Sequence, residues 1–270
     1  MTIVAVGKNS FLAQSVREFS PADKWIWLSH DEAKHTPEIL NNASCVINFA
    51  FSPELQKGDY DPQYDIDRII AKQLSTNVHY IMLSTRMVYG AGRGKGFSEQ
   101  DKPQPENTYG RNKAIIEENL KKSWPEEKLT ILRLSNIFGY EPGRHTFFGI
   151  ALKNLATKNA VTFNIDPSCM RDFLPAHIFA DYVYKIACAP TGGIFNIGCG
   201  FGIQSGQVVS WIIEGYGRGE LVVTDNSRKG EFFLSMEKTL SAYALKQASE
   251  SDIREAAIAC GKRLKSFNAG

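Results

Sequence analysis

The chain has nothing close to the ~20 consecutive apolar residues of a membrane span, and its mean hydropathy is −0.25. Its opening, Met1-Thr2-Ile3-Val4-Ala5-Val6-Gly7, lacks the basic leader and apolar stretch of a secretion signal. No membrane association is expected, and the expected location is cytoplasmic. An excess of one charge is also missing: 31 Lys and Arg stand against 29 Asp and Glu, a formal charge of +2. That balance supplies no global field for steering onto nucleic acid or anionic lipid. Cysteines are few and unpaired in pattern. Cys45, Cys169, Cys188, Cys199 and Cys260 are odd in number and scattered, and His30, His35, His79, His145 and His177 fall at no ligand spacing. Neither a disulfide framework nor a metal site is expected, and the thiols read as inert. Internal repeats, low-complexity tracts and Gly/Ser linkers are missing too.

What is present is an ordinary globular composition, 43% hydrophobic and 11% aromatic. With about 150 residues per domain as a prior, 270 residues suit one large domain or a domain with a smaller lobe. Thr2 to Val6 is a β-branched run ending at Gly7, and Phe11 to Phe19 carries Leu12, Val16 and Phe19 at helical spacing. Further strands are predicted at Trp25 to Leu28, Cys45 to Ala50, His79 to Leu83 and Leu129 to Leu134, with helices at Asp65 to Leu74 and Asn107 to Leu120. Strands alternating with helices predict a Rossmann-type α/β fold with a doubly wound parallel sheet. The stretch between the second and third strands is too short for another strand and crossover, so the sheet is expected to be trimmed there. After Tyr140 the pattern loosens, with a helix predicted over Arg171 to Ala187 and a strand over Gly193 to Gly198. The expected division is a dinucleotide-binding domain, 1–139 plus 171–199, and a smaller substrate-binding lobe, 140–170 plus 200–270. Ser251 to Lys265 reads as a solvated surface helix.

Three constellations carry chemistry. Gly7, Ser10 and Ala13 occupy a strand-to-helix turn, where unpaired N–H groups and the helix dipole can receive a pyrophosphate. An ordinary turn has the same look, because only Gly7 is conformationally permissive. Tyr109 and Lys113 share a helix face after a cap at Asn107. An ammonium beside the phenol would let it exchange a proton below its usual pKa of ~10, although a surface pair has the same spacing. Thr85, in Leu-Ser-Thr-Arg-Met-Val-Tyr-Gly, ends a central strand where ligands of open sheets bind, so it can meet a carbonyl or alkoxide oxygen beside Tyr109.

The order of these segments, with Arg-Leu-Ser-Asn-Ile-Phe-Gly at 133–139, Arg-Asp-Phe at 171–173 and Gly-Ile-Phe-Asn-Ile-Gly at 193–198, resembles the extended short-chain dehydrogenase/reductase family over residues 1 to about 245. The likeness is to its sugar-nucleotide epimerase, dehydratase and reductase branch. The resemblance implies that Tyr109 is the general acid/base, that Lys113 lowers its pKa and holds the nicotinamide ribose, and that Thr85 orients the sugar oxygen. It also implies that Gly7, Lys8, Ser10, Phe11, Leu12, Ser29, His30 and Ala50 contact the cofactor with Tyr109 and Lys113, and that Thr85, Arg86, Asn136 and Arg228 face the substrate. Phe147, Phe148, Met170 and Phe201 either line the sugar pocket or belong to the core.

Departures from the family pattern narrow the expectation. Arg86 and Met87 follow Thr85 where 4,6-dehydratases carry Asp-Glu, which speaks against dehydratase chemistry. Ser10 and Ala13 replace two fingerprint glycines. No acidic residue closes the second strand, Asp31 lying late, whereas Lys8, Ser29 and His30 could face a 2′-phosphate. NADP(H) is therefore favoured, with NAD(H) possible. The resemblance thus implies NAD(P)H-dependent reduction of the C4 keto group of a nucleotide-linked 4-keto-6-deoxyhexose, in deoxysugar or surface polysaccharide biosynthesis. An NAD-dependent 4-epimerase and a non-catalytic dinucleotide-binding regulator stay open as alternatives. A nucleotide-diphosphate sugar is the expected partner, and a homodimer through the helices near 65–74 and 107–120 is a family expectation.

Overall fold

The computed structural model describes residues 1–92, 96–228 and 230–268. Short β-branched and aromatic runs form the sheet: β1 (Ile3–Val6), β2 (Trp25–Leu28), β3 (Cys45–Asn48), β4 (His79–Thr85), β5 (Leu129–Leu134) and a sixth strand, Gly193–Ile197. Among the described residues these six form one sheet, all neighbours parallel, in the order Gly193–Ile197, β5, β4, β3, β1, β2. The expected trimming is present, since β2 is an edge strand. β1 lies between β2 and β3, so the chain leaves it in one direction and returns on its other side. That reversal opens a crevice at the carboxyl ends, where Val6 stands level with Leu28 and Asn48.

Alternation along β1 assigns Ile3 and Ala5 to one face and Val4 and Val6 to the other, both wholly buried. The first face packs on α1 (Phe11–Phe19) and the helix Ala176–Cys188, the second on the helices Ile66–Ala71 and Thr108–Ser123. The elements after β5 build smaller sheets: Asn136–Phe138 with Phe173–Pro175, Ala160–Phe163 with Glu220–Val223, and Met170–Arg171 with Ile203–Gln204.

Two expectations need correction. The helix predicted from Arg171 begins at Ala176, because Met170–Arg171 and Phe173–Pro175 are strands and Pro175, with its fixed φ, is the N-cap. The C-terminal helix, Glu250–Asn268, is amphipathic with a charged exposed face, as its pattern implies, but its other face is not solvated. Ile253, Ala257, Cys260 and Leu264 recur on one face and are buried in the main core. Its backbone lies against the helix Ser205–Tyr216. A Cβ added at Gly261 would overlap the Ile212 carbonyl oxygen and stand 2.6 Å from the Tyr216 nitrogen. Backbone on both sides leaves no room to give, so Gly261→Ala is expected to lower stability by about 1–3 kcal/mol. Urea denaturation measures this, and an unchanged midpoint would show that the two helices are not held at this spacing.

Candidate functional site

At the crevice, Gly7 turns the chain out of β1 with φ +92°, its N–H and that of Lys8 donating to the Leu28 carbonyl at 2.8 and 3.0 Å. A Cβ at Gly7 would come within 2.6 Å of the Ala50 nitrogen, so the backbones after β1 and β3 can close together only at a glycine. Ser10 caps α1 by accepting from the Ala13 N–H at 3.2 Å. A groove of about 360 Å³ runs past this turn, lined by Gly7, Ser10, Ser29, His30, Ala50 and Glu54 among others. The bare backbone of its wall at Gly7 and the N-terminus of α1 beside it fit the dinucleotide implied by the sequence. Phe11 lies beneath the Arg144 guanidinium at 4.9 Å, and Leu12 packs half-buried on the core.

The surroundings of Lys8 differ from the expectation. Lys8 Nζ donates to both carboxylate oxygens of Glu32, at 2.7 and 2.6 Å. Glu32 is also the third residue of a capping box with Ser29, whose hydroxyl accepts from the Glu32 N–H at 3.1 Å. The Lys8 ammonium and the Ser29 bonds hold the Glu32 carboxyl down to about 2. No acidic residue closes β2 itself, but the Glu32 carboxylate reaches back from the following helix to the Ser29 N–H just past the strand. The capping pattern Ser29-x-x-Glu32 was the sequence signal for it.

The catalytic candidates meet at the carboxyl end of β4. Thr85 Oγ1 accepts from the Met87 N–H at 3.2 Å, which leaves the hydroxyl hydrogen to donate to the neighbouring Tyr109 phenol. Tyr109 stands on the first turn of the helix Thr108–Ser123, whose N-cap Asn107 accepts from Gly110 at 2.7 Å, and its ring meets Phe51 edge-on at 5.1 Å. Burial pushes the phenol up to about 12, opposed by the Thr85 hydrogen bond and the charge of Arg144. The direction differs from the sequence expectation because burial outweighs the charges nearby, and Lys113 is engaged elsewhere. Its buried ammonium donates to the Leu83 carbonyl at 2.8 Å, lies 4.4 Å from the Phe51 ring and faces Asp67 at 3.9 Å. Arg144 and Asp67 are residues that sequence reasoning missed. Each acts across elements far apart in the chain, and no local motif marks them.

Around the cleft, Arg86 stacks on Phe232 at 3.7 Å, and its buried Nε has no hydrogen-bond partner. Burial and the charge of Arg171 lower it to about 10. Asn136 is turned inward, donating to the Asp172 carbonyl at 3.0 Å. Arg228 is exposed and held by Glu231 at 2.7 Å. Phe148 belongs to a buried aromatic cluster with Phe138 and Phe173, whereas Met170 is exposed. Beneath the site, Glu117 binds Arg133 at 3.1 and 2.6 Å and accepts from Ser84. Arg133 is 1% exposed, with Nη1 already lacking a partner. Glu117→Gln, which leaves that guanidinium uncompensated, is expected to cost about 3–5 kcal/mol in urea denaturation; a loss below 1 kcal/mol would show that the pair is not what holds the helix.

The model of the NAD dependent epimerase/dehydratase family matches residues 10–198. No curated protein matches. Among solved structures the chain is similar to RMD from Pseudomonas aeruginosa complexed with NADPH, at 16% identity and TM-score 0.78, covering 99% of this chain and 100% of that one. It is also similar to a UDP-N-acetylglucosamine 4-epimerase from Methanobrevibacter ruminantium, at 16% identity and TM-score 0.82, covering 98% of each chain. A third is the Thermus thermophilus UDP-glucose 4-epimerase complexed with NAD, at 16% identity and TM-score 0.78, covering 97% of this chain and 99% of that one. At such identities the structural likeness speaks for the fold, and the family rests on the match over 10–198: the chain belongs to the NAD dependent epimerase/dehydratase family.

Proposed function

We propose that this protein is an NAD(P)H-dependent ketoreductase acting on the C4 keto group of a nucleotide-linked 4-keto-6-deoxyhexose, in deoxysugar or surface polysaccharide biosynthesis. The observation that carries the reading is what stands beside the Thr85–Tyr109 pair: Arg86 puts a guanidinium where elimination would need a carboxylic acid and a base. A phenol that keeps its proton at neutral pH can serve as the acid at the nascent alkoxide. Bound NAD(P)H supplies the hydride. Thr85 donates its hydroxyl hydrogen to the keto oxygen, Tyr109 gives that oxygen its proton, and Lys113 holds the nicotinamide ribose. In this reading Arg86 faces the substrate, Asn136 and Arg228 would have to leave the Asp172 carbonyl and Glu231 to reach it, and the segments 140–170 and 200–270 supply the sugar-binding lobe.

Absorbance at 340 nm tests this, with NADPH or NADH and a panel of dTDP-, GDP-, CDP- and UDP-linked 4-keto-6-deoxysugars. Oxidation with one sugar is expected, abolished in Tyr109→Phe. The rate is expected to stay level through neutral pH and fall only as rising pH deprotonates the phenol. A rate that climbs from pH 6 to 9 would overturn the assignment of Tyr109 as the acid.

A second reading, an NAD-dependent 4-epimerase, is favoured by Glu32, whose carboxylate suits the adenosine ribose hydroxyls. Tightly held NAD released on denaturation, with no net oxidation of added cofactor, would select it. The Lys8–Glu32 pair also sets the cofactor test. Glu32→Gln frees the ammonium for a 2′-phosphate and is expected to shift the NADPH-to-NADH affinity ratio upward by about tenfold, the worth of one charge-assisted contact. Fluorescence titration of both cofactors reads the ratio; an unchanged value would remove Lys8 from the 2′-phosphate.

A further inference from the structure

The Lys113 ammonium is 3% exposed and ends against a carboxylate that no motif announces. Asp67, on the helix Ile66–Ala71, is 2% exposed. Its Oδ1 accepts from Asn48 Nδ2 and from the Tyr80 hydroxyl, each at 2.8 Å, which fixes the carboxylate plane. Its Oδ2 is left facing Lys113 Nζ at 3.9 Å. We propose that Asp67 is a positioning residue for catalysis, holding the Lys113 ammonium charged and aimed at the cofactor ribose. The inference rests on the assignment of Lys113 as a cofactor residue.

The physical need follows from burial. An ammonium removed from water loses its proton unless an opposite charge compensates. Burial lowers Lys113 and raises Asp67, and each pulls the other back. The remaining titratable groups that face Lys113 are Asp65 and Glu117, with Tyr80 behind Asp67. Asp65 is committed to Tyr60 and the Arg68 N–H, and Glu117 to Arg133 and Ser84. Asp67 is the carboxylate with an oxygen to spare. The Leu83 carbonyl and the Phe51 face complete the cage, and neither carries a net charge.

Asp67→Asn is the discriminating substitution, because its amide oxygen can keep both Oδ1 bonds while its amino group replaces the charge facing Lys113. NADH affinity is measured by fluorescence quenching from pH 7 to 10, without any sugar. In the wild type, affinity falls as rising pH neutralises Lys113. In Asp67→Asn that fall is expected to move toward neutral pH by about one unit, a tenfold weaker affinity within the window. Lys113→Met is expected to abolish this pH dependence, and adding Asp67→Asn to it to change nothing further. An Asp67→Asn profile that overlays the wild type, or an equal loss in the Lys113→Met background, overturns the proposal in favour of a structural carboxylate.

Urea denaturation of the ligand-free chain gives a second readout. A lysine whose folded pKa is depressed destabilises the fold below its unfolded pKa of ~10.4 and ceases to do so as pH rises toward it. The cost of Asp67→Asn is therefore expected to be largest at pH 7, to shrink by pH 10 and to vanish in Lys113→Met; a pH-independent cost overturns the inference. A wild type that binds cofactor but reduces no sugar sinks the ketoreductase reading alone.

Discussion

Tyr109 and Lys113 are carried by a single helix, and the position of that helix against the sheet depends on the buried pair between Glu117 and Arg133. Glu117 is one turn beyond Lys113, and it takes two bonds from a guanidinium on β5 and one from Ser84, the neighbour of Thr85. A buried charge must be matched nearly in place, so the pair fixes the distance between the helix and the end of β4. Its reach is wider than these three residues. Arg133 stacks on Tyr89 at 4.7 Å, and the Tyr89 hydroxyl donates to Asn196 on the edge strand, whose amide in turn holds the carbonyls of Phe97 and Ser235. One polar network thus ties the catalytic helix, the turn after Thr85 and the segment covering the sheet edge.

Three partly exposed cations are held by acidic partners. Lys8 rests on Glu32, Arg144 on Glu141 and Arg228 on Glu231. Glu141 is buried, one of its carboxylate oxygens has no partner, and burial raises its pKa despite Arg144. Arg86 is the exception to the pattern, with an aromatic face as its main support and a lowered pKa.

The sheet was largely legible in the sequence because its strands are short apolar runs with clear breaks, and the trimmed edge followed from chain length alone. Thr85, Tyr109 and the Gly7 turn were legible because one helix or one loop places them. The state of Tyr109 was not. Spacing placed Lys113 on the same helix face, but the ammonium turns to the Leu83 carbonyl and to Asp67, contacts that exist only once β4 and the helix Ile66–Ala71 have packed. The C-terminal helix misled for a related reason. Its many charges suggest solvent on all sides, and only the spacing of Ile253, Ala257, Cys260 and Leu264 records the face buried beneath them. At Arg171, apolar Phe173 and Leu174 fit a helix as well as a strand, and Pro175 decides for the strand.

The two open edges of the sheet explain how the fold tolerates its missing strand. At one edge, backbone groups of Gly193–Ile197 are taken by side chains: Glu99 accepts from the Asn196 N–H at 2.8 Å, Lys238 donates to the Ile194 carbonyl at 2.7 Å and Thr239 to that of Asn196 at 2.7 Å. At the other, β2 is only four residues long, and its Trp25 and Trp27 stack at 5.0 Å on the face that packs on the main core. Short edges capped in this way resist pairing with another chain. β2 ends this side of the sheet, and the capping box of Ser29 and Glu32 that follows it directly brings the Glu32 carboxylate against Lys8, beside the turn after β1.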